Sequence, residues 1–368
     1  MDETARRAIV PATTIDLPNQ IQEPGRYLSS FFDLIFSAPR CLHPRTTMRI
    51  VAASSLRTSW RACHRTFSTK RTAVVVGATS GIGEACAHRL AEEGFLVVAV
   101  GRGGRPGRAE AVVETLTAKS AAAKSADVPS HEFVACDAFS LSNIRETAEA
   151  IQAKHPIVDA LVMTQGMATT QGFTPTVDGN DQKMTLHYYS RMGMIQSLLP
   201  ALKQSSMPAV VLSILSGGVH SPYPHLDTDP SLEKNYSIKN AADAAGFYND
   251  LCLDQFAVDH PEIRFVHACP GFVNTNWGSE FHPILRSLVR LIQPFGKSAS
   301  ECAELLLGAT VLADSLPAPP VRPDGSTSGV FIVGEKGDTQ SLTKAHSVSA
   351  RDVLWKHTQD VLGKAGIR

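Results

Sequence analysis

The sequence predicts an α/β fold, a single doubly wound domain with a parallel sheet of about seven strands flanked by helices. Two observations lead to this fold class. Apolar, β-branched runs recur between residues 72 and 337, and helix-compatible stretches separate them. Strands that alternate with helices indicate βαβ units and hence a parallel sheet. The runs are TAVVVG (72–77), FLVVAVG (95–101), EFVACD (132–137), VDALVMTQG (158–166), PAVVLSILSGG (208–218), IRFVHACPG (263–271) and SGVFIVGEKG (328–337).

The first strand and helix carry the clearest signals. The run 72–77 is β-branched and ends in glycine, as a buried parallel strand does. EACAHRLAEEG (84–94) has a helical pattern that Gly94 closes. The segment 349–366 predicts a terminal amphipathic helix. We therefore divide the chain into an N-terminal extension (1–70), the sheet domain (71–343) and a C-terminal helical tail (344–368).

The composition excludes several classes of protein. The chain has 368 residues, 43% hydrophobic and 19% charged, with a formal net charge of +0. This suffices for one large α/β domain and gives no indication of a nucleic-acid partner. The seven cysteines include no CxxC pair, so we expect free thiols and no metal site. No run reaches the roughly 18 apolar residues of a membrane span, so no transmembrane segment is predicted.

The N-terminal part is basic. No Asp or Glu occurs between Leu34 and Gly83, whereas arginine is frequent there. Residues 48–70 are Arg- and Ser-rich and mildly amphipathic, which is typical of organelle transit peptides. A mitochondrial location is therefore one expectation, with a disordered basic arm on a cytoplasmic protein as the alternative. The pattern leaves open whether translation starts at Met1 or Met48.

A glycine-rich turn, GATSGIG, joins the first strand to the first helix. Glycine permits a tight turn with positive φ, close approach of a pyrophosphate, and close packing of helix on strand. The phosphates would then meet the N–H groups and the positive end of the helix. We predict a dinucleotide site formed by Gly77, Thr79, Ser80, Gly81, Ile82 and Gly83.

The tip of the second strand distinguishes two dinucleotides. A carboxylate there binds the ribose 2′-hydroxyl of NAD, whereas arginine accommodates a 2′-phosphate. This chain has VGRGGRPGR (100–108), with Arg102, Arg105 and Arg108 and no acid until Glu110. NADP(H) is therefore favoured over NAD(H), because a guanidinium suits a phosphate. The alternative is a solvated Gly/Arg loop.

Five segments together resemble the short-chain dehydrogenase/reductase family, and the resemblance spans residues 72 to about 343. They are the glycine turn (GxxxGxG), CDAFSL (136–141), VMTQG (162–166) in place of NNAG, VVLSILSGG (210–218), and CPGFVNT (269–275), which matches PGxVxT. The resemblance implies a catalytic serine at Ser216. It also assigns cofactor contacts to Asp137 at the adenine, to Gly166, Pro270 and Gly271, and to Thr275 at the nicotinamide carboxamide.

The family implies hydride transfer between a nicotinamide and a carbonyl or alcohol carbon. A tyrosine exchanges the proton, and a lysine four residues later lowers its pKa. Aligning HYYSRMGMIQSLLP (187–200) with the preceding helix places His187 where the family has a proton-relay asparagine. Histidine can relay a proton near neutral pH. The alternative is a hydrogen-bonded helix residue that faces the pocket.

The tyrosine and lysine are not matched at the family spacing. NYSIKNAADAAG (235–246) contains Tyr236 and Lys239, three residues apart. Counting back from LDQFA instead puts Ala242 and Gly246 at the two positions, a shift of roughly 9 Å along a helix. We predict Tyr236 and Lys239 as a shifted catalytic pair, because i and i+3 share a helix face. The alternative is a fold that has lost its acid.

Residues 276–296 carry apolar side chains at helical spacing, in the region where the family has a flap over the substrate. An apolar substrate is therefore expected. The same helix could instead dock on the core, on a partner subunit or on a membrane surface. By analogy with the family, a homo-oligomer is plausible.

Two functions follow from these residues. The first is an NADP(H)-dependent oxidoreductase that acts on a carbonyl or alcohol of a moderately hydrophobic small molecule. The second is a catalytically impaired NADP(H)-binding protein that works as a sensor or scaffold. The retained serine and apolar flap favour the first, whereas the altered tyrosine–lysine spacing favours the second.

Overall fold

The computed structural model describes residues 71–104, 106–123, 128–276, 278, 281–316 and 318–368. Residues 48–70, on which the targeting prediction rests, lie outside the described part of the chain. The mitochondrial location therefore remains a prediction. No helix among the described residues is long and apolar enough to cross a membrane.

Strands and helices alternate through the first half of the domain. This half consists of β1 (Thr72–Val76), α1 (Gly81–Glu92), β2 (Leu96–Gly101), α2 (Arg108–Ala122), β3 (Glu132–Ala135), α3 (Leu141–Lys154) and β4 (Ala160–Met163). A short α4 (Gln182–Met184) then continues through a π-helical turn (Thr185–Tyr189) into α5 (Ser190–Leu202).

The second half repeats the alternation with longer connections. It consists of β5 (Val210–Ile214), α6 (Ile238–Asp259), β6 (Arg264–Ala268), β7 (Val273–Asn274), α7 (Pro283–Ile292), a 3-10 turn (Gln293–Phe295), β8 (Lys297–Ser298), α8 (Ala299–Ala309), β9 (Val330–Val333) and α9 (Val348–Lys364).

The seven predicted strands form one parallel sheet in the order β3-β2-β1-β4-β5-β6-β9. The predicted doubly wound fold is thus confirmed. The direction of the strand order reverses between β1 and β4, and ligands of such sheets bind at the carboxyl ends of the strands beside this reversal. The glycine turn follows β1 and therefore lies at these carboxyl ends, beside the reversal.

Both faces of the sheet are covered, so the strands are apolar without alternation. Val74 and Val76 belong to one buried cluster, whereas Ala73 and Val75 belong to another on the opposite face. Every residue of β1 is buried. This explains why the strands are continuous β-branched runs in the sequence.

The C-terminal helix α9 packs against α6. The rings of Trp355 and Phe256 meet edge to face at 4.9 Å, and Leu354 of α9 is fully buried. Thr358 of α9 also hydrogen-bonds the hydroxyl of Tyr188 at 2.5 Å. The segment after residue 343 therefore belongs to the same core as the sheet.

Candidate active site

The glycine turn forms a backbone cradle at the carboxyl end of β1. Gly77 and Gly81 have φ of +88° and +60°, which other residues rarely adopt. A Cβ on Gly77 would lie 2.6 Å from Thr164 Oγ1, because the end of β4 closes directly on the turn. A Cβ on Gly83 would lie closer than 3.0 Å to the Gly77 carbonyl. Side chains at these positions would therefore fill or break the turn.

The first turn of α1 is open to an anion. Ser80 is the N-cap residue, is exposed, and makes no side-chain cap hydrogen bond. Thr79 packs against Gly101 at the tip of β2, where a Cβ would lie 2.7 Å from the Thr79 methyl group. Ile82 packs on the core cluster beneath the turn. Uncapped N–H groups at a helix N-terminus bind phosphate, so these residues fit a pyrophosphate.

The tip of β2 carries the predicted specificity loop. Arg102 is exposed and lines, together with Asp137, a cavity of about 390 Å³ bordered by β3 and α3. Arg108 has a different role, because its guanidinium donates to the Thr79 carbonyl and lies 3.6 Å from Glu84. Arg105 lies outside the described residues. Of the two arginines of this loop that the structure describes, Arg102 is thus the one placed to meet a ligand.

The segment after β6 closes the other side of the turn. A Cβ on Gly81 would lie 3.3 Å from the methyl group of Thr275, so the predicted nicotinamide contact reaches the glycine turn. Gln293 Nε2 donates to the Thr275 carbonyl at 2.7 Å. Pro270 and Gly271 begin this segment. Gly271 has φ of +68°, and a Cβ there would overlap the side chain of Glu335. The structure therefore brings the two predicted halves of the cofactor site together.

Ser216 lies beyond the end of β5 with its hydroxyl unused. Its N–H donates to His267 Nε2 at 3.2 Å, whereas its buried Oγ has no hydrogen-bond partner among the described residues. A Cβ on Gly246 of α6 would lie closer than 3.0 Å to both Ser216 Oγ and His220 Nδ1. The absent side chain of Gly246 therefore leaves room for both the hydroxyl and the imidazole.

His187 lies in the π-helical turn beside the segment that follows β4. Its Nε2 accepts from the N–H of Met167 at 2.9 Å, and it lies 3.4 Å from where a Cβ of Gly166 would be. Burial, with the positive charges of Arg191 and Lys183 nearby, lowers the His187 pKa to about 3. The ring is therefore neutral near pH 7, and we find it as a hydrogen-bonded residue next to Gly166.

Tyr236 and Lys239 do not form the predicted pair. The Tyr236 hydroxyl accepts from Lys183 Nζ at 2.8 Å, whereas Lys239 forms an ion pair with Asp243. The physical reason is the start of α6, because Ser237 is its N-cap and Tyr236 precedes the helix. The two residues therefore do not share a helix face, and Lys239 is exposed.

Burial raises the pKa of the Tyr236 phenol, and the nearby Asp181 raises it further. Burial also lowers the pKa of the Lys183 ammonium. A tyrosine that exchanges protons needs a lowered pKa. The surroundings of Tyr236 act in the opposite direction.

Two buried polar residues that the sequence did not single out hold the strand ends. Arg191 donates to the Met163, Gln165 and Ile214 carbonyls and to Ser213 Oγ, and therefore links β4 to β5. Asn249 accepts from Ser213 Oγ at 2.9 Å and donates to the His187 carbonyl at 3.0 Å. A charged or amide residue inside an apolar helical pattern was the only signal in the sequence.

A second missed group surrounds the buried Asp250 of α6. Imidazoles of His220, His267 and His346 contact its carboxylate at 3.1, 2.5 and 3.1 Å. These residues come from a loop, a strand and the segment before α9, so no local spacing in the sequence connects them. His220 and His267 also contact Ser216, which joins the group to the predicted catalytic serine.

Known proteins share this architecture. The family model described as short chain dehydrogenase matches residues 71–283. Among solved structures, an uncharacterised protein from Mycobacterium paratuberculosis has a TM-score of 0.54 at 20% identity, covering 80% of this chain and 94% of that one. YwfH, titled an NADPH-dependent reductase involved in bacilysin biosynthesis, has a TM-score of 0.50 at 19% identity, covering 73% of this chain and 98% of its own.

Curated relatives are named oxidoreductases. One from Emericella nidulans is 27% identical over 80% of this chain and 93% of its own length. The NmrA-like family domain-containing oxidoreductase notO of an Aspergillus species is 26% identical over 80% of this chain and 89% of its own. Dehydrogenase/reductase SDR family member 7B of Bos taurus is 25% identical over 70% of this chain and 78% of its own. The chain therefore belongs to the short-chain dehydrogenase family, and it is an oxidoreductase.

Proposed function

We propose that the protein is an NADP(H)-dependent oxidoreductase acting on a carbonyl or an alcohol of a moderately hydrophobic small molecule. The proposed cofactor preference rests on the charge of the residues at the tip of β2. Gly101, Arg102, Gly103 and Gly104 include no carboxylate that could bind a ribose 2′-hydroxyl, and the one charged side chain among them is exposed and basic. A guanidinium there favours a 2′-phosphate over a free hydroxyl.

The residues that would hold the dinucleotide lie along the carboxyl edge of the sheet. The open N-terminus of α1 and the Gly77–Gly83 turn would bind the pyrophosphate. Asp137 would contact the adenine end, and Thr275 with Gly166 would border the nicotinamide end. When bound, the nicotinamide supplies or accepts a hydride. Ser216 would orient the substrate oxygen with its hydroxyl, which has no partner within the described part of the chain.

The apolar segment after Thr275 supports a hydrophobic substrate. Val289 of α7 is buried, so the helix is anchored, and Gln293 is hydrogen-bonded to the Thr275 carbonyl. Leu291 and Phe295 nevertheless remain 70% and 87% exposed. An anchored helix with apolar side chains beside the proposed nicotinamide end suits an apolar molecule better than a charged one.

The test compares both dinucleotides in the wild-type protein and in Arg102→Ala. We expect the wild type to oxidise NADPH with apolar ketones or aldehydes in preference to NADH. Arg102→Ala should weaken NADPH binding by about 10- to 100-fold, because a charge-assisted bond contributes roughly 1.5–3 kcal/mol. NADH binding should change little, since it has no 2′-phosphate.

Arg264→Ala is the matched control, because Arg264 is the first residue of β6 and lies at the amino end of the strand, opposite the carboxyl ends that border the proposed site. It should leave both affinities unchanged. Equal loss of NADPH and NADH affinity in Arg102→Ala would contradict the proposed preference. Turnover that persists in Ser216→Ala would contradict the role of the serine.

A further inference from the structure

Four ionisable side chains meet next to the serine. Asp250 is 2% exposed in its side chain, and the three imidazoles around it are buried with it. The His267 ring accepts from the Ser216 N–H, and the His220 ring contacts the Ser216 carbonyl at 2.9 Å. A buried carboxylate needs donors or a positive charge to remain ionised. The position of each ring proton therefore decides what this group can do.

Two of the rings are neutral. His267 Nε2 accepts from the Ser216 N–H, so its single proton lies on Nδ1 and is donated to Asp250. His346 Nδ1 accepts from the Thr343 N–H at 3.1 Å, so its single proton lies on Nε2 and is also donated to Asp250. In each ring a backbone N–H, which can only donate, fixes the tautomer. Asp250 accepts from both rings, and although burial raises its pKa, the surrounding imidazoles lower that pKa well below its usual range, so the carboxyl is ionised.

His220 differs, because both of its nitrogens face acceptors. Its Nδ1 lies 2.9 Å from the Ser216 carbonyl oxygen, which can only accept. Its Nε2 lies 3.1 Å from a carboxylate oxygen of Asp250. Both nitrogens must carry a proton, so His220 is an imidazolium that balances the charge of Asp250. Burial alone would lower the His220 pKa, but the Asp250 charge and the hydrogen bonds to Asp250 and Ser216 outweigh it and raise the pKa.

The Ser216 hydroxyl, which has no hydrogen-bond partner among the described residues, and His220 Nδ1 both lie next to Gly246. Both atoms border the space that Gly246 leaves open, where a Cβ would lie within 3.0 Å of each. The helix position that the sequence aligns with the missing lysine is thus occupied by an imidazole from another segment. Ala242, at the aligned tyrosine position, has no ionisable group.

We propose that His220 is the acid of this oxidoreductase and that it supplies, through Ser216, the proton that a reduced carbonyl takes up. This deepens the proposed function and rests on it. As a hydride reaches the carbonyl carbon of the substrate, the substrate oxygen takes the Ser216 hydroxyl proton, and Ser216 Oγ takes the proton that His220 Nδ1 otherwise donates to the Ser216 carbonyl. The carbonyl is reduced to an alcohol and the dinucleotide is oxidised. His220 becomes neutral, keeps its Nε2 proton on Asp250, and regains the Nδ1 proton from water.

Three of these four side chains also have the spacing of a metal site. His220, Asp250 and His346 place one ligand atom each within 4.8 Å of one another. A ligand nitrogen must offer a lone pair to the ion. His346 Nδ1 already accepts a backbone N–H, so its Nε2 could bind a metal only after the ring lost its last proton. The geometry therefore favours protons over a cation.

The first test measures ring protonation without turnover. In ¹⁵N-histidine NMR of the wild-type protein at pH 7, one buried ring should be an imidazolium that titrates above a free histidine, and its signal should vanish in His220→Gln. The groups facing it are Asp250 and Asp243 of α6, His267 of β6 and His346. A neutral His220 at pH 7, or a stoichiometric metal in the purified protein, would overturn the proposal.

The second test measures the pH profile of carbonyl reduction. The acid must be protonated to act, so kcat should fall as the pH rises through the His220 pKa. In His220→Gln the decrease of kcat with rising pH should disappear, and kcat should fall by about 10²- to 10⁴-fold, with NADPH binding retained. His225→Gln is the matched control, because its ring lies on the same loop and contacts Tyr223. It should behave as the wild type.

Tyr236→Phe distinguishes this proposal from catalysis by the Tyr236–Lys239 pair. The variant should keep the wild-type kcat and its decrease with rising pH. Loss of turnover in Tyr236→Phe with an active His220→Gln would overturn the proposal while leaving the oxidoreductase function intact. Where His220→Gln fails to fold, the NMR titration of the wild type still decides. Absence of NADPH binding in the wild type would instead count against the proposed function itself.

Discussion

Single residues at this site act by size as much as by chemical group. Gly246 is the clearest case, because it lies in the middle of α6, where glycine weakens a helix relative to alanine by roughly 1 kcal/mol. Its place is explained by Ser216 and His220, which occupy the volume of the missing side chain. Glycine at this position therefore lowers helix stability but leaves room for the Ser216 hydroxyl and the His220 imidazole.

Gly246→Ala should reduce kcat by about 100-fold, because displacing reacting groups by about 1 Å can cost that much. Any gain in helix propensity should be offset by crowding of roughly 1–3 kcal/mol. Gly308→Ala is the control, since Gly308 lies in α8 and a Cβ there meets no described atom within 4 Å. It should stabilise the protein by up to about 1 kcal/mol in urea unfolding and leave kcat unchanged. Equal effects of the two substitutions would contradict the crowding argument.

At the scale of elements, the strand–turn–helix unit β1–α1 forms the proposed cofactor site. Two different constraints keep glycine there. Gly83 has an ordinary φ but no room, because the Gly77 carbonyl and Thr164 Oγ1 are too close for a Cβ. Gly94, after α1, has room but φ of +82°, which strains any other residue. The two positions can therefore be separated experimentally.

Gly83→Ala should weaken NADPH binding by about 10- to 100-fold, the equivalent of roughly 1–3 kcal/mol of crowding in the turn. Gly94→Ala should lower the free energy of unfolding by about 1–2 kcal/mol and leave the NADPH affinity unchanged. Isothermal titration and urea unfolding of both variants check this. Unchanged NADPH affinity in Gly83→Ala would mean that the turn tolerates displacement.

At the scale of the whole molecule, α9 completes the core, and the segment before it contributes to the group around the proposed acid. Leu354 is fully buried, and Thr358 hydrogen-bonds Tyr188 of the π-helical turn. His346, in the segment before α9, donates to Asp250. The sequence suggested a tail after residue 343, but its side chains reach the residues around Ser216.

Leu354→Ala should therefore lower the global free energy of unfolding by about 2–5 kcal/mol in a single transition. Val353→Ala is the matched control on the same helix, because Val353 is 37% exposed, and its effect should stay within about 0.5 kcal/mol. A separate early transition in Leu354→Ala would instead identify α9 as an independently melting tail.

The predictable parts of this protein are local in sequence. Strand β1 and the glycine turn follow from apolar runs and glycine spacing, since backbone preferences act between near neighbours. The exposed Arg102 follows in the same way from the composition of one loop. The Tyr236–Lys239 pair was not formed, because the start of α6 depends on its N-cap Ser237. A one-turn difference in a helix start changes which side chains face each other.

The sequence by itself determined the doubly wound sheet, the dinucleotide turn, the position of Ser216 and the family. Only the tertiary structure decided which acid accompanies the serine. His220 and Asp250 are 30 residues apart, and they are joined by His267 from a strand and His346 from near the C-terminus. The physical reason is that a ring's charge depends on the partners of both its nitrogens, and those partners come from segments that folding alone brings together.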